Sequence, residues 1–353
     1  MNPPRVPVQP APRPSRRRRW LATAAGAVLA LGLFEAGLRQ LVRNPPDRVP
    51  VAQDTPREPV HERRVYYEGI ATARFSPAHA RLTGGEWIPG APVGVIVGDS
   101  HVVAAQVADE QTMGAVAERG LRAMGTPVNV RQYGRAGSSA PHMLAEAPEI
   151  MRRWDPAWVV VVVADGDLDR NALVGSPRLE IRPDTSWTLR VDPPRPLPAG
   201  VRGVVRRGYQ AVTRASALAY MTAVRAGRMM NGPLAHHPPL RPTDPGYEVR
   251  RLVPRVTVRA LRQAYGDRLH VVYLSYAGVT PAQDVAYFEA PLLEACRAEG
   301  VRCTSMHPAF TAARDREHRL PRGFINTAPA FGHLNADGHR MVGEAIIREA
   351  AGR

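Results

Sequence analysis

Lysine is absent from all 353 residues, so each of the 47 basic side chains is an arginine. That excludes Schiff-base chemistry, a lysine nucleophile and a phosphate loop built on lysine. Cysteine is nearly absent too, with Cys296 and Cys303 alone. Two thiols without histidines at ligand spacing make no zinc site, and no metal or other cofactor is expected. They either form one disulfide in an oxidising compartment or stay free. Aromatic residues make up only 6% of the chain. No basic patch interleaved with aromatics is present, which is what single-strand nucleic-acid binders use. The net charge of +15 comes from scattered arginines, apart from Arg16–Arg19. We read it as the coding bias of a GC-rich genome and a solvated basic surface, with no nucleic-acid partner expected.

The N-terminus is strongly patterned. Residues 1–19 are Pro-rich, then basic, and are expected to form a disordered cytoplasmic tail. The uncharged stretch from Trp20 to Phe34 rises about 22 Å as a helix, short of a hydrocarbon core of roughly 30 Å. Extension to Val42 predicts a transmembrane signal anchor over 20–42, with Glu35 and Arg39 reaching the far interface. Arginines before the helix keep that end inside and place the remainder on the extracytoplasmic side of the cell membrane. The alternative is a cleaved signal peptide, since small residues surround Leu31. A Pro-rich spacer follows over 43–60 and lifts the domain at 61–353 away from the membrane.

Beyond the spacer, apolar runs alternate with helical patterns. Strands are expected at 93–97, 128–133, 158–164, 269–275 and 301–305. Helices are expected at about 109–124, 140–152, 249–265, 284–299 and 336–350. Five successive valines, Val159–Val163, need apolar partners on both faces, as in a buried parallel strand. The rhythm predicts an α/β fold: a doubly wound, mainly parallel five-stranded sheet with helices on both faces, flavodoxin-like. An insertion at about 172–245 interrupts it, with a hairpin expected over Ile181–Val191 and a helix over Tyr209–Met230.

Two motifs carry chemistry. Val93–Val97 ends abruptly in Gly98-Asp99-Ser100-His101, and near the C-terminus stands Gly332-His333-Leu334-Asn335-Ala336-Asp337. A serine at a strand tip lies at the carboxyl edge of the sheet, where open α/β folds bind ligands. A histidine brought to that edge takes its proton and makes it a nucleophile. Ser100 also offers its own N–H to an oxyanion, and Gly137 offers a second one, lacking a Cβ that would block approach. With Val107–Gln111, Tyr133–Ser138 (including Gly137) and Val160–Asn171, these motifs form four blocks in order. In that order and spacing the chain resembles the GDSL/SGNH hydrolase superfamily from about residue 90 to 350.

The resemblance implies Ser100 as nucleophile, His333 as general base and then acid, and Ser100 and Gly137 as oxyanion donors. Two of the family's positions are filled differently. Gly166 stands where the third block has a side-chain amide, and Ala330 where an aspartate three residues before the histidine orients it. Asp165, Asp167 and Asn171 are the possible accessory residues nearby. Asp337 is read as a partner of the last helix dipole, and His101 as a neutral bystander. The resemblance implies an exported serine esterase acting on O-acyl esters, chiefly O-acetyl, of envelope carbohydrate or lipid. The alternatives are a polysaccharide O-acyltransferase on the same serine and a degenerate domain that binds such a ligand. Protein partners are not indicated.

Overall fold

Val159–Val163 is buried along its whole length because helices cover both of its faces. The computed structural model describes residues 16–41, 61–65, 68–69, 71–76, 80–169, 172–174, 176–192, 241–275, 288–324 and 332–351, with a few more between 208 and 222. Five parallel strands form the sheet: β3 (Val93–Gly98), β4 (Asn129–Gly134), β5 (Trp158–Ala164), β8 (Leu269–Leu274) and β9 (Arg302–Ser305). Their spatial order is β4-β3-β5-β8-β9. Counted among themselves this is 2-1-3-4-5, the flavodoxin-like order, whose switch point lies at the end of β3. All five sequence expectations fall within one residue of the observed strands.

Alternation along the strands sorts the core into two layers. Val95, Val97, Val161, Val163, Val271 and Tyr273 face α4 (Ala140–Trp154), α6 (Val253–Tyr265) and α7 (Glu289–Ala298). Ile96, Val160, Val162, Val272 and Leu274 face α3 (Met113–Ala123), α8 (His307–Glu317) and α9 (Ala336–Ala351). The helix expected from 109 starts at Met113, because Asp109–Gln111 forms a 3-10 turn and Thr112 Oγ1 caps the helix from Ala115 N at 3.2 Å. The helix expected over 249–265 divides into α5 (Tyr247–Arg250) and α6, with Pro254 in the first turn of α6. Helix α8 was not expected, since only Phe310 and Ala313 of it are buried. Cys296 in α7 and Cys303 in β9 are joined as a disulfide, their Cα atoms 6.1 Å apart.

Outside the sheet, β6 (Arg178–Ile181) and β7 (Trp187–Arg190) pair antiparallel, as the hairpin expected at 181–191 but starting three residues earlier. The helix expected over 209–230, residues 43–60 and Asn171 lie largely or wholly outside the described residues. A second hairpin, β1 (His61–Val65) and β2 (Ala71–Phe75), was not anticipated. A buried ion cluster fastens β2 to the domain. Arg81, fully buried, pairs with Asp109 and donates to Val107 O at 2.7 Å, while Arg74 N donates to Asp109 Oδ1 at 3.1 Å. Ala73 and Phe75 of β2 pack on Val103 and Ala105, just after the Gly-Asp-Ser motif.

The N-terminal helix α1 (Arg16–Leu41) forms as one element of 26 residues. It does not bear out the transmembrane expectation: among the described residues no helix is long and apolar enough to cross a membrane. Thr23, Gly26 and Gly32 dilute its apolar run, and Glu35 binds protein, accepting from Ser216 Oγ and Leu218 N, both at 2.9 Å. Trp20, Leu21, Val28, Leu29, Leu31, Leu33 and Phe34 remain exposed.

One consequence for stability follows from burial. His339 in α9 is buried, and desolvation, then the nearby Arg81 charge, lower its pKa to about 3 from 6.5. The folded state holds it neutral while the unfolded chain takes up a proton below about pH 6.5. Stability is therefore present above pH 6.5 and lost progressively as pH falls toward 3. Denaturant midpoints measured between pH 7.5 and 4 are expected to fall with acid, and His339→Gln is expected to flatten that slope.

Candidate active site

Ser100 owes its place to a single helical turn. Strand β3 ends at Gly98, and Asp99 caps α2 (Ser100–Val103) by accepting from His101 N at 2.8 Å. The turn closes at Ala104 in the left-handed region. Ser100 thus begins a helix at the switch point, half-buried, with its backbone N–H among the first of the turn, which have no intrahelical acceptor.

The loop after β4 is tied to the same point. Arg135 N donates to Gly98 O at 3.0 Å and Ser138 Oγ donates to it at 3.2 Å. Between them Gly137 adopts φ +72°, and a Cβ there would meet nothing within 4 Å. The backbone at Gly137 is therefore open to an approaching ligand, beside the strand end that presents Ser100.

His333 is held in a loop before α9. Asn335 Nδ2 donates to Leu320 O at 2.6 Å, and its Oδ1 caps α9 from Gly338 N at 3.1 Å. Asp337 sits in the first turn of α9, as expected of a dipole partner, and pairs with Arg319 at 2.8 Å. The orienting carboxylate comes from neither the 330 position nor the third block. Glu68, in the β1–β2 turn, places Oε2 2.7 Å from His333 Nδ1, and Oε1 accepts from His333 N at 2.7 Å. Its side chain is 3% exposed. A carboxylate on Nδ1 fixes the proton there and leaves Nε2 as the basic nitrogen.

Gly332 makes this approach possible. Its φ is +89°, and a Cβ would overlap Glu68 Oε1. Gly332→Ala is therefore expected to displace the carboxylate and lower kcat by about 10²-fold, the cost of a misplacement of about 1 Å. Steady-state kinetics beside a circular-dichroism spectrum checks that the loss comes from the site and not from unfolding.

The accessory residues expected from the third block do other work. Asp165 accepts from the Tyr273 hydroxyl. Asp167 Oδ2 accepts from Ala164 N at 2.9 Å and closes the 3-10 turn Asp165–Leu168. Burial, then the Asp99 charge, raises Asp167 well above the usual carboxylate range. Asp167 thus caps a backbone donor at the end of β5, and Asp165 ties that end to β8 through Tyr273. Gly166 lies in the same turn and brings no side-chain amide. Ala330 and Asn171 lie outside the described residues.

His101 is no bystander in space. Its ring centroid is 5.2 Å from that of His333, and its Nε2 is 3.2 Å from Arg322 Nη1. Burial, then the Arg322 charge, holds it well below the ordinary histidine value. Arg322, itself buried, also donates to Gly332 O at 3.1 Å and to Ser275 O at 3.4 Å. One guanidinium thus links the turn of Ser100, the loop of His333 and the end of β8.

Glu68 escaped the sequence reading because it is 265 residues from His333 and belongs to none of the four blocks. The one local sign is the sequence Glu68-Gly69, eight residues after the spacer, a carboxylate at a turn.

No family model and no curated protein matches the chain. The solved structures similar to the chain include three at low identity. A lipase/acylhydrolase from Enterococcus faecalis is 14% identical with a TM-score of 0.43, covering 74% of this chain and 96% of its own. LAE5, an alpha/beta hydrolase enzyme from the metagenome of Lake Arreo, is 12% identical with a TM-score of 0.40, covering 76% and 98%. The acetylxylan esterase Axe2 from Geobacillus stearothermophilus is 13% identical with a TM-score of 0.40, covering 73% and 93%. The chain's resemblance to the GDSL/SGNH hydrolase superfamily rests on its four sequence blocks and on the strand order that carries them.

Proposed function

We propose that the chain is a serine esterase acting on O-acyl esters, chiefly O-acetyl, of envelope carbohydrate or lipid. The carrying observation is the buried Glu68 carboxylate on His333 Nδ1, beside the loop-and-turn pair that presents Ser100 and Gly137. In this reading His333 Nε2 takes the Ser100 Oγ proton as the oxygen attacks the acyl carbon. Glu68 stabilises the imidazolium that forms. The backbone N–H groups of Ser100 and Gly137 receive the oxyanion. His333 then protonates the departing alcohol, and water repeats the sequence to release the acid.

The test is hydrolysis of p-nitrophenyl acetate by the full chain. Turnover lost in Ser100→Ala supports the assignment, and turnover retained there refutes it. Acyl transfer to an added glycan in place of water would turn the reading to the O-acyltransferase. Binding of an acylated glycan with no turnover would turn it to the ligand-binding domain. Because Glu68 fills the orienting role, Ala330→Asp is expected to gain nothing. Gly166→Asn is expected to raise kcat/KM by about tenfold, part of the 10²–10³ an oxyanion donor supplies.

The same proposal places the domain outside the cytoplasm and at a membrane. It is supported by the Cys296–Cys303 disulfide, the four arginines that open α1 and the exposed apolar side chains of α1. A periplasm-active reporter fused after residue 60 is expected to be active and one after residue 14 inactive. The reverse pattern, or recovery of the full chain entirely in the soluble fraction, would overturn this placement.

A further inference from the structure

A second carboxylate–imidazole pair stands on the same edge of the sheet. Glu289, the first residue of α7, lies 2.8 Å from His307 Nδ1 through Oε2. Ser305 Oγ, at the end of β9, donates to the other oxygen of Glu289 and accepts from His307 N at 3.1 Å. Glu289 opens α7 and Ser305 Oγ accepts from the first N–H of α8, and neither contact has need of an imidazole. In the neutral imidazole the Glu289 carboxylate holds the proton on Nδ1, which leaves the Nε2 lone pair as an acceptor. Among the described residues Nδ1 makes the only side-chain hydrogen bond of His307, and the side chain is 25% exposed. Among the described residues no group of three or more His, Cys, Asp or Glu is placed to hold a metal. That Nε2 lone pair suits a hydroxyl donor.

The register fixes where this acceptor sits. Ser305 pairs with Tyr273, Tyr273 with Val163, and Val161 with Val97, so the end of β9 is level with Asp99. Three strand spacings of 4.7–4.9 Å separate them, about 14 Å. Between the two pairs the Tyr273 hydroxyl donates to Asp165, both side chains buried. A ligand that reaches both ends carries hydroxyls about 14 Å from the reacting ester, farther than one sugar ring spans.

We propose that His307, held by Glu289, is a hydroxyl-binding subsite for the carbohydrate part of the substrate, so that the site takes acylated oligosaccharides in preference to short esters. The inference rests on the esterase reading for its reaction, but its binding step does not need turnover. Calorimetric titration of the full-chain Ser100→Ala protein with cellotetraose, xylotetraose and chitotetraose tests it directly. At least one is expected to bind, and His307→Ala and Glu289→Gln are each expected to weaken that binding at least fivefold. In the active chain, the kcat/KM for the acetylated tetrasaccharide relative to p-nitrophenyl acetate is expected to fall about tenfold in both variants. Binding of none of the three, or affinities within twofold of the parent in folded variants, would overturn the subsite. An inactive parent that still binds through His307 would sink the esterase reading and leave the subsite standing.

Discussion

Glu68→Gln is expected to lower kcat on p-nitrophenyl acetate by about 10³- to 10⁴-fold, the scale of losing a triad carboxylate. The amide keeps the shape of the carboxylate, and its oxygen can still accept from Nδ1. It has no negative charge with which to stabilise the imidazolium, and in the flipped orientation it presents a donor to a donor. KM should change little, because Glu68 is buried behind His333 and contacts the imidazole. Glu68→Asp, one methylene shorter, should lose about 10²-fold through misplacement alone. Stopped assays with matched thermal melts provide the measurement. A Glu68→Gln protein within threefold of the parent would mean that His333 is oriented by something else.

The second large effect is the removal of the nucleophile and its base. Ser100→Ala and His333→Ala should each abolish turnover down to the background left by the oxyanion donors and substrate binding. The double variant should be no worse than either single change, because residues that act as one unit lose their whole contribution together. Losses that multiplied would show that the two residues contribute independently, which a proton-sharing pair cannot do. Both single variants should fold, since Ser100 begins a four-residue turn capped by Asp99 and His333 lies in a loop clamped by Asn335.

The sequence revealed those parts of this molecule that local chemistry dictates. Unbroken valines at 159–163 announce a strand covered on both sides, and the sheet edge follows wherever such a strand ends in Gly-Asp-Ser. Ser100, Gly137 and His333 were readable because each occupies a turn whose residue types are constrained over a few positions. The β1–β2 hairpin was not readable. Its strands are short and rich in arginine and alanine, and β2 is fastened by Arg74, Arg81 and Asp109, ion pairs between distant positions. Glu68 shared that fate, since nothing in the chain before it signals a partner at position 333. Asp165 and Asp167 present the opposite case. Acidic residues at a strand end look like catalytic groups, yet these carboxylates satisfy Tyr273 and the backbone of Ala164. Helix α1 shows that an apolar run sets a helix without settling what surrounds it.

The proposed reaction requires Ser100 to be a nucleophile activated by His333 and Glu68. Labelling of the full chain with a fluorophosphonate, followed by tryptic digestion and mass spectrometry, tests it most directly. Cleavage at arginine releases Leu82–Arg119, in which Ser100 is the one serine. A single phosphonyl adduct is expected on that peptide, absent in Ser100→Ala and formed far more slowly in His333→Ala and Glu68→Gln. An adduct on a different serine, or a folded protein that takes no label at all, would contradict it.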